Sequence, residues 1–182
     1  MTDSLPARPL FLIGYRATGK SSAGRMLAAE LDLPFYDMDE MIQEKAGKTV
    51  REIVGEAGWE GFRAIEREVL QGLLDAGRPS VTACGGGAVL HAGLFRKAGD
   101  AINVVWLDAD IEAIMQRLAT DPATGELRPA LKNGLAAEDE VRAVLEERLP
   151  LYRELSHYRI DTAKNSLRET VTAIKKWLEK GV

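Results

Sequence analysis

Eight residues, Gly14-Tyr15-Arg16-Ala17-Thr18-Gly19-Lys20-Ser21, fit the pattern G-x-x-x-x-G-K-[ST], a loop whose backbone N–H groups wrap a chain of phosphates. Its two glycines let the main chain curl against an anion with no Cβ in the way. The Lys20 ammonium supplies a mobile charge for the outer phosphates, and the Ser21 hydroxyl is a ligand for Mg²⁺. A helix starting at Gly19 adds the positive end of its dipole. The flanks match the setting this motif requires: Pro9-Leu10-Phe11-Leu12-Ile13 reads as a short buried strand, and Ser22 to Leu31 carries apolar residues at helical spacing.

Further groups along the chain have chemistry to offer. Asp37 and Asp39 lie in Tyr36-Asp37-Met38-Asp39. On an extended stretch alternate residues point the same way, which would aim both carboxylates at one site. Phosphoryl transfer uses acids to hold Mg²⁺ and to orient the attacking hydroxyl; the competing reading is that Asp39 only caps a helix starting at Met38. Arg63 in Gly61-Phe62-Arg63, and Arg148 in Glu146-Glu147-Arg148-Leu149-Pro150-Leu151-Tyr152, are planar forks suited to a two-point grip on a carboxylate. Each also has acids nearby and could serve as a surface ion pair. Thr82-Ala83-Cys84-Gly85-Gly86-Gly87 runs a strand into three consecutive glycines, a costly arrangement best explained by a ligand approaching bare backbone. Cys84 reads as a small buried residue at the strand end. His91 and His157 are isolated and read as surface or boundary residues, and Trp59, Trp106 and Trp177 as core.

The elements that must position these groups alternate regularly. Strands are expected at Leu10–Ile13, Pro34–Tyr36, Ser80–Cys84, Ile102–Leu107 and His157–Ile160. Helices are expected at Lys20–Leu31, Met38–Ala46, Val50–Ala57, Gly58–Ala76, Leu90–Lys97, Ile111–Ala119, Ala137–Leu155 and Leu167–Lys180. Strands separated by such helices imply parallel pairing in a three-layer α/β domain with ligands at the carboxyl ends of the strands. One segment, Asp121 to Gly134, is rich in Pro and Gly, holds Arg128, and is long for a connection between helices. It reads as a plain solvated loop or, in a phosphate-binding chain, as a lid.

The whole chain of 182 residues is expected to form a single domain. Its net charge of −4 carries no electrostatic footprint for nucleic acid, and no apolar run is long enough for a membrane span. One cysteine excludes an internal disulfide and, with no signal pattern over Met1 to Arg8, points to a cytoplasmic protein. Oligomeric state leaves no mark here, and monomer is the default.

Taken together, and in this order, Gly14–Ser21, Phe35-Tyr36-Asp37-Met38-Asp39, Gly61-Phe62-Arg63, Gly85-Gly86-Gly87, Leu127-Arg128-Pro129 and Glu147-Arg148 through Tyr152 resemble the shikimate kinases. The likeness runs from about Leu10 to Ile174. It implies transfer of the ATP γ-phosphoryl group to the 3-hydroxyl of shikimate with Mg²⁺, a step toward chorismate and the aromatic amino acids. It also implies a nucleoside-monophosphate-kinase-like P-loop fold: five parallel strands flanked by helices, a substrate-binding region over residues 38–65 and a lid over 121–134. By resemblance Lys20 serves the phosphates, Ser21 the Mg²⁺ and Asp37 the metal's shell. Asp39 holds the substrate hydroxyls and accepts a proton. Arg63 and Arg148 grip the substrate carboxylate, Gly85, Gly86 and Gly87 offer backbone hydrogen bonds, and Arg128 swings in with the lid. Gly14, Ala17, Thr18, Gly19 and Ser22 complete the nucleotide contacts, with Asn165 a positional assignment near the adenine. The chain departs from the usual pattern in Cys84, where Thr or Ser often stands, in Ala17 for a common Gly and in Ser22 for a common Thr. Cys84 at that place could make the site open to oxidation or alkylation. Other small-molecule kinases, for gluconate or a nucleoside monophosphate, share the loop and lid, and a nucleotide-binding regulator would share the fold.

Overall fold

The computed structural model describes residues 8–120 and 136–180, so the expected lid and Arg128 lie outside the described residues. Five strands form one sheet: β1 (Leu10–Ile13), β2 (Phe35–Asp37), β3 (Val81–Ala83), β4 (Asn103–Asp108) and β5 (Tyr158–Asp161), in the order β2-β3-β1-β4-β5. Every pairing is parallel, with Leu10 opposite Val81 on one side of β1 and Asn103 on the other. The strand bounds differ from expectation by a residue at most ends, and the element order agrees.

Burial on both faces explains why the strands read as unbroken apolar runs. Along β1, Leu10 and Leu12 enter a cluster with Ala23 and Leu27 of α1 (Lys20–Leu31) and Ile174 of the C-terminal helix α7 (Leu167–Glu179). Phe11 and Ile13 point the other way, into a cluster with Phe62 of α3 (Val50–Ala76), Phe95 of α4 (Ala92–Ala98) and Tyr152 of α6 (Ala137–Leu155). β4 alternates likewise, Val105 and Leu107 to one side, Val104 and Trp106 to the other. The result is helix, sheet, helix.

The remaining helices are α2 (Met38–Ala46) and α5 (Ile111–Thr120). Capping boxes start α3 and α7: Thr49 accepts from the Glu52 N–H, Ser166 from the Glu169 N–H, and each glutamate reaches back to its cap. The long α3 is two helices joined at Gly58, whose φ of 66° and ψ of −178° only glycine adopts without strain. That bend falls at the expected break between Val50–Ala57 and Gly58–Ala76. A short 3₁₀ turn, Ala88–His91, precedes α4, where a single helix from Leu90 was expected. Because β1 lies between β3 and β4, the chain leaves its carboxyl end at a switch point of the sheet, the place where such folds bind ligands. Among the described residues no helix is long and apolar enough to cross a membrane.

Candidate active site

The glycine loop leaves β1 at Gly14 and delivers its lysine to the first residue of α1. Gly19 is the N-cap of that helix and has no side chain to cap it, so the first-turn N–H groups are open to an anion. Within the loop Lys20 Nζ donates to the Tyr15 carbonyl at 2.5 Å, and Thr18 Oγ1 donates to the same oxygen at 2.7 Å. The lysine is thus folded over the loop's own backbone and largely buried.

Next to it, Ser21 Oγ donates to Asp37 Oδ2 at 2.6 Å. The other oxygen of Asp37 accepts from the Asp39 N–H at 3.0 Å, which makes Asp37 the N-cap of α2. The competing reading of Asp39 as the cap does not hold, because Asp37 takes that place. Helix begins at Met38 as expected, and the two carboxylates have different neighbours: Asp37 bonds Ser21, and Asp39 lines the adjoining cleft. These hard oxygens of Ser21 and Asp37 suit Mg²⁺. Among the described residues no group of three His, Cys, Asp or Glu could hold a metal by itself, as expected of an ion that keeps several waters and takes phosphate oxygens.

That cleft is walled by Tyr15 and Arg16 of the loop, Asp39, the α3 side chains Trp59, Phe62 and Arg63, and Gly86, Gly87 and Arg148. Two of its three arginines, Arg63 and Arg148, meet at the glycine triplet. A Cβ on Gly87 would overlap the Arg63 guanidinium, so only glycine leaves room for it. One residue earlier, the Gly86 carbonyl accepts from Arg148 Nη1 at 2.9 Å and from the Tyr152 hydroxyl at 2.9 Å. A Cβ on Gly86 would also stand 3.4 Å from the Arg16 backbone nitrogen, so the triplet touches the phosphate loop itself. Gly85 brings its Cα close to Asp39, whose Oδ1 would stand 3.1 Å from an added Cβ.

Neither arginine is a surface ion pair. Arg148 is 5 % exposed, and its Nε is buried with no hydrogen-bond partner among the described residues, as is that of Arg16. Buried N–H groups without an acceptor are costly and mark where an anion belongs. Arg63 lies over the rings of Trp59 and Phe62 at 5.4 and 5.2 Å and pairs through Nη1 with Glu66 Oε2 at 2.6 Å. Arg16 pairs with the buried Glu140 of α6 at 2.8 Å.

Cys84 is buried just before the triplet, and burial pushes its thiol far above the usual range. The expected opening to oxidation or alkylation is therefore not supported: a thiolate is the reactive form, and here it is suppressed. A second hollow runs behind the loop, lined by Ala17, Thr18, Gly19 and Ser22 on one side and by Arg117, Thr162 and Asn165 on the other. Asn165 Nδ2 donates to the Asp161 carbonyl at 2.7 Å, and Arg117 donates to the carbonyls of Ala17 and Thr162 at 3.2 and 2.5 Å. Sequence reasoning had singled out Asn165 by position but had missed Arg16, Glu66, Glu140 and Arg117. For Glu66 a signal existed, its i,i+3 spacing from Arg63, and for Arg16 its place within the phosphate-loop motif; Arg117 is joined to the site only through the fold.

A model of the shikimate kinase family matches residues 16–179. This chain belongs to the shikimate kinase family. It is similar to the shikimate kinase of Syntrophus aciditrophicus, 39% identical over 177 residues that cover 92% of this chain and 89% of the relative. The shikimate kinase of Nitratidesulfovibrio vulgaris is 41% identical over 170 residues, covering 91% and 94%. Among solved structures, the shikimate kinase from Acinetobacter baumannii in complex with shikimate superposes with a TM-score of 0.85 at 33% identity, covering 98% of this chain and 95% of that one. The five-stranded parallel sheet and flanking helices are those of this kinase family, and the nucleoside-monophosphate-kinase-like expectation holds.

Proposed function

We propose that this chain is the kinase that transfers the γ-phosphoryl group of ATP to the 3-hydroxyl of shikimate, giving ADP and shikimate 3-phosphate on the way to chorismate. The observation that carries the reading is the meeting of Arg63 and Arg148 at Gly86 and Gly87, against the backbone of the phosphate loop. A buried guanidinium, Arg148, and a half-buried one, Arg63, suit a planar carboxylate, and their place beside the loop holds an attached alcohol near the terminal phosphate. A nucleotide kinase needs the loop but no carboxylate clamp; gluconate carries a carboxylate too, so the choice of acceptor is settled by turnover.

In this reading Lys20 leaves the Tyr15 carbonyl for the outer phosphates, and the loop amides from Gly14 to Ser22 bind the rest of the chain of phosphates. Ser21 and Asp37 hold Mg²⁺, which when bound neutralises phosphate charge. The hollow bounded by Arg117 and Asn165 takes the adenine end. Arg63 and Arg148 fix the carboxylate, with the Gly85–Gly87 backbone beside them, and Asp39 holds the ring hydroxyls. As the 3-oxygen bonds to the γ-phosphorus, its bond to the β–γ bridging oxygen breaks, ADP departs, and the hydroxyl proton passes to Asp39. Little covalent work falls to the protein; positioning and fixed positive charge lower the barrier. The expected roles of Arg128 at the phosphates and of a lid over 121–134 fall on residues outside the described ones. Residues 38–65 form the substrate-binding region of a single domain. The protein acts as a monomer in the cytoplasm, with no nucleic-acid or membrane partner; the net charge of −4 supports the first of these absences.

Coupled detection of ADP release tests this, with ATP, Mg²⁺ and in turn shikimate, gluconate and a nucleoside monophosphate. Release that depends on shikimate alone is expected. Release driven by another acceptor, or nucleotide binding with no turnover, would overturn it.

A further inference from the structure

Glu66 is a carboxylate with 0 % exposure, placed under the wall that Arg63 and the glycine triplet share. Its Oε2 takes the Arg63 Nη1 bond at 2.6 Å and also meets His91 Nε2 at 3.2 Å. Its Oε1 is buried without a hydrogen-bond partner among the described residues and faces the Cα of Gly85. An ionised carboxylate only accepts, so the His91 tautomer that bonds an ionised Glu66 is the one carrying its proton on Nε2. His91 is itself mostly buried, its side chain 12 % exposed, and it ends the 3₁₀ turn that carries the chain away from Gly87. Within that turn Ala88 N–H bonds Gly85 O at 3.0 Å and Leu90 N–H bonds Gly87 O at 2.9 Å. The histidine therefore ties the glycine turn to α3 through one oxygen of Glu66, joining the two parts of the acid-binding wall that come from separate elements.

We propose that His91 is a positioning residue for capture of the acid substrate: by donating to Glu66, it lets Arg63 share its guanidinium between Glu66 and the substrate carboxylate. The inference rests on the carboxylate-gripping role of Arg63 given above. Without the imidazole N–H, Arg63 is the one remaining donor to Glu66 Oε2 among the described residues. A buried anion with a single donor holds that donor closely, and the arginine is withdrawn from the substrate. The effect falls on the acid, because nothing in this chain of contacts touches the nucleotide hollow.

Three variants separate this from simple packing. Phe keeps the flat shape and loses both nitrogens. Gln places an amide nitrogen three bonds from Cβ, as Nε2 is in histidine, while Asn places it one bond short. His91→Phe and His91→Asn should raise the KM for shikimate roughly tenfold, the scale of one hydrogen bond to a charged group, with kcat and the KM for ATP within about twofold of wild type. His91→Gln should restore the shikimate KM to within about twofold. An unchanged shikimate KM in His91→Phe, or equal KM increases in all three variants, overturns the positioning role. Wild-type ADP release that ignores shikimate would instead overturn the reading beneath it.

Discussion

Ala17 stands at φ 62°, in the left-handed region that costs an alanine on the order of 1 kcal/mol. It holds that conformation inside the phosphate loop, with its carbonyl accepting from Arg117 at 3.2 Å. The family often has glycine there, and the strain explains the preference without reference to chemistry. Ala17→Gly should therefore raise stability by about 1 kcal/mol, seen as a rise of roughly 3 °C in the thermal midpoint. An unchanged or lower midpoint would mean that the loop relaxes around the methyl group. Cys84 offers a second check on local environment. Because burial raises its thiol far above the ordinary range, iodoacetamide at mildly alkaline pH should leave the folded protein unlabelled and label it in denaturant. Labelling of the folded chain at the unfolded rate would show that the end of β3 opens readily. Residue types were easily legible in the sequence, but partnerships were not: Glu66 and His91 are 25 positions apart and meet only because α3 and the 3₁₀ turn pack together.

Helix starts carry most of the precise placement in this molecule. The capping acids Glu52 and Glu169 have their carboxyl groups held below the ordinary value of 4.5 by hydrogen bonds from Thr49 and Ser166. A depressed carboxyl stabilises the fold above its unfolded pKa and loses that contribution as pH falls through the folded one. The advantage of wild type over a Glu52→Gln, Glu169→Gln variant should thus be present at neutral pH and shrink below pH 4.5, as read from chemical unfolding at each pH. A constant difference would show the caps to be unimportant. The start of α2 also divides the work of two acids: β2 ends at Asp37 and α2 takes over at once, as expected, so that Asp37 bonds Ser21 while Asp39 lines the acid cleft. The break at Gly58 agrees with the expected division into Val50–Ala57 and Gly58–Ala76.

At the scale of the molecule, the sheet places every chemical group at one edge. The loop after β1, the cap after β2, the triplet after β3 and Asn165 after β5 all follow from parallel strands ending on the same side. That much was legible, since strands buried on both faces read as pure apolar runs and long amphipathic stretches between them force parallel crossovers. Arg63 and Arg148 are exceptions: they reach the triplet from the interiors of α3 and α6, and their places beside Gly87 and Gly86 depend on how those helices pack over the sheet.

The central claim is that this convergence makes an acid-binding clamp next to a phosphate-binding loop, and steady-state kinetics of Arg148→Ala with both substrates varied test it most directly. Loss of a charged hydrogen bond, about 1.5–3 kcal/mol, should raise the KM for shikimate by roughly ten- to a hundredfold and leave the KM for ATP near wild type. A raised KM for ATP with an unaltered KM for shikimate would contradict the account.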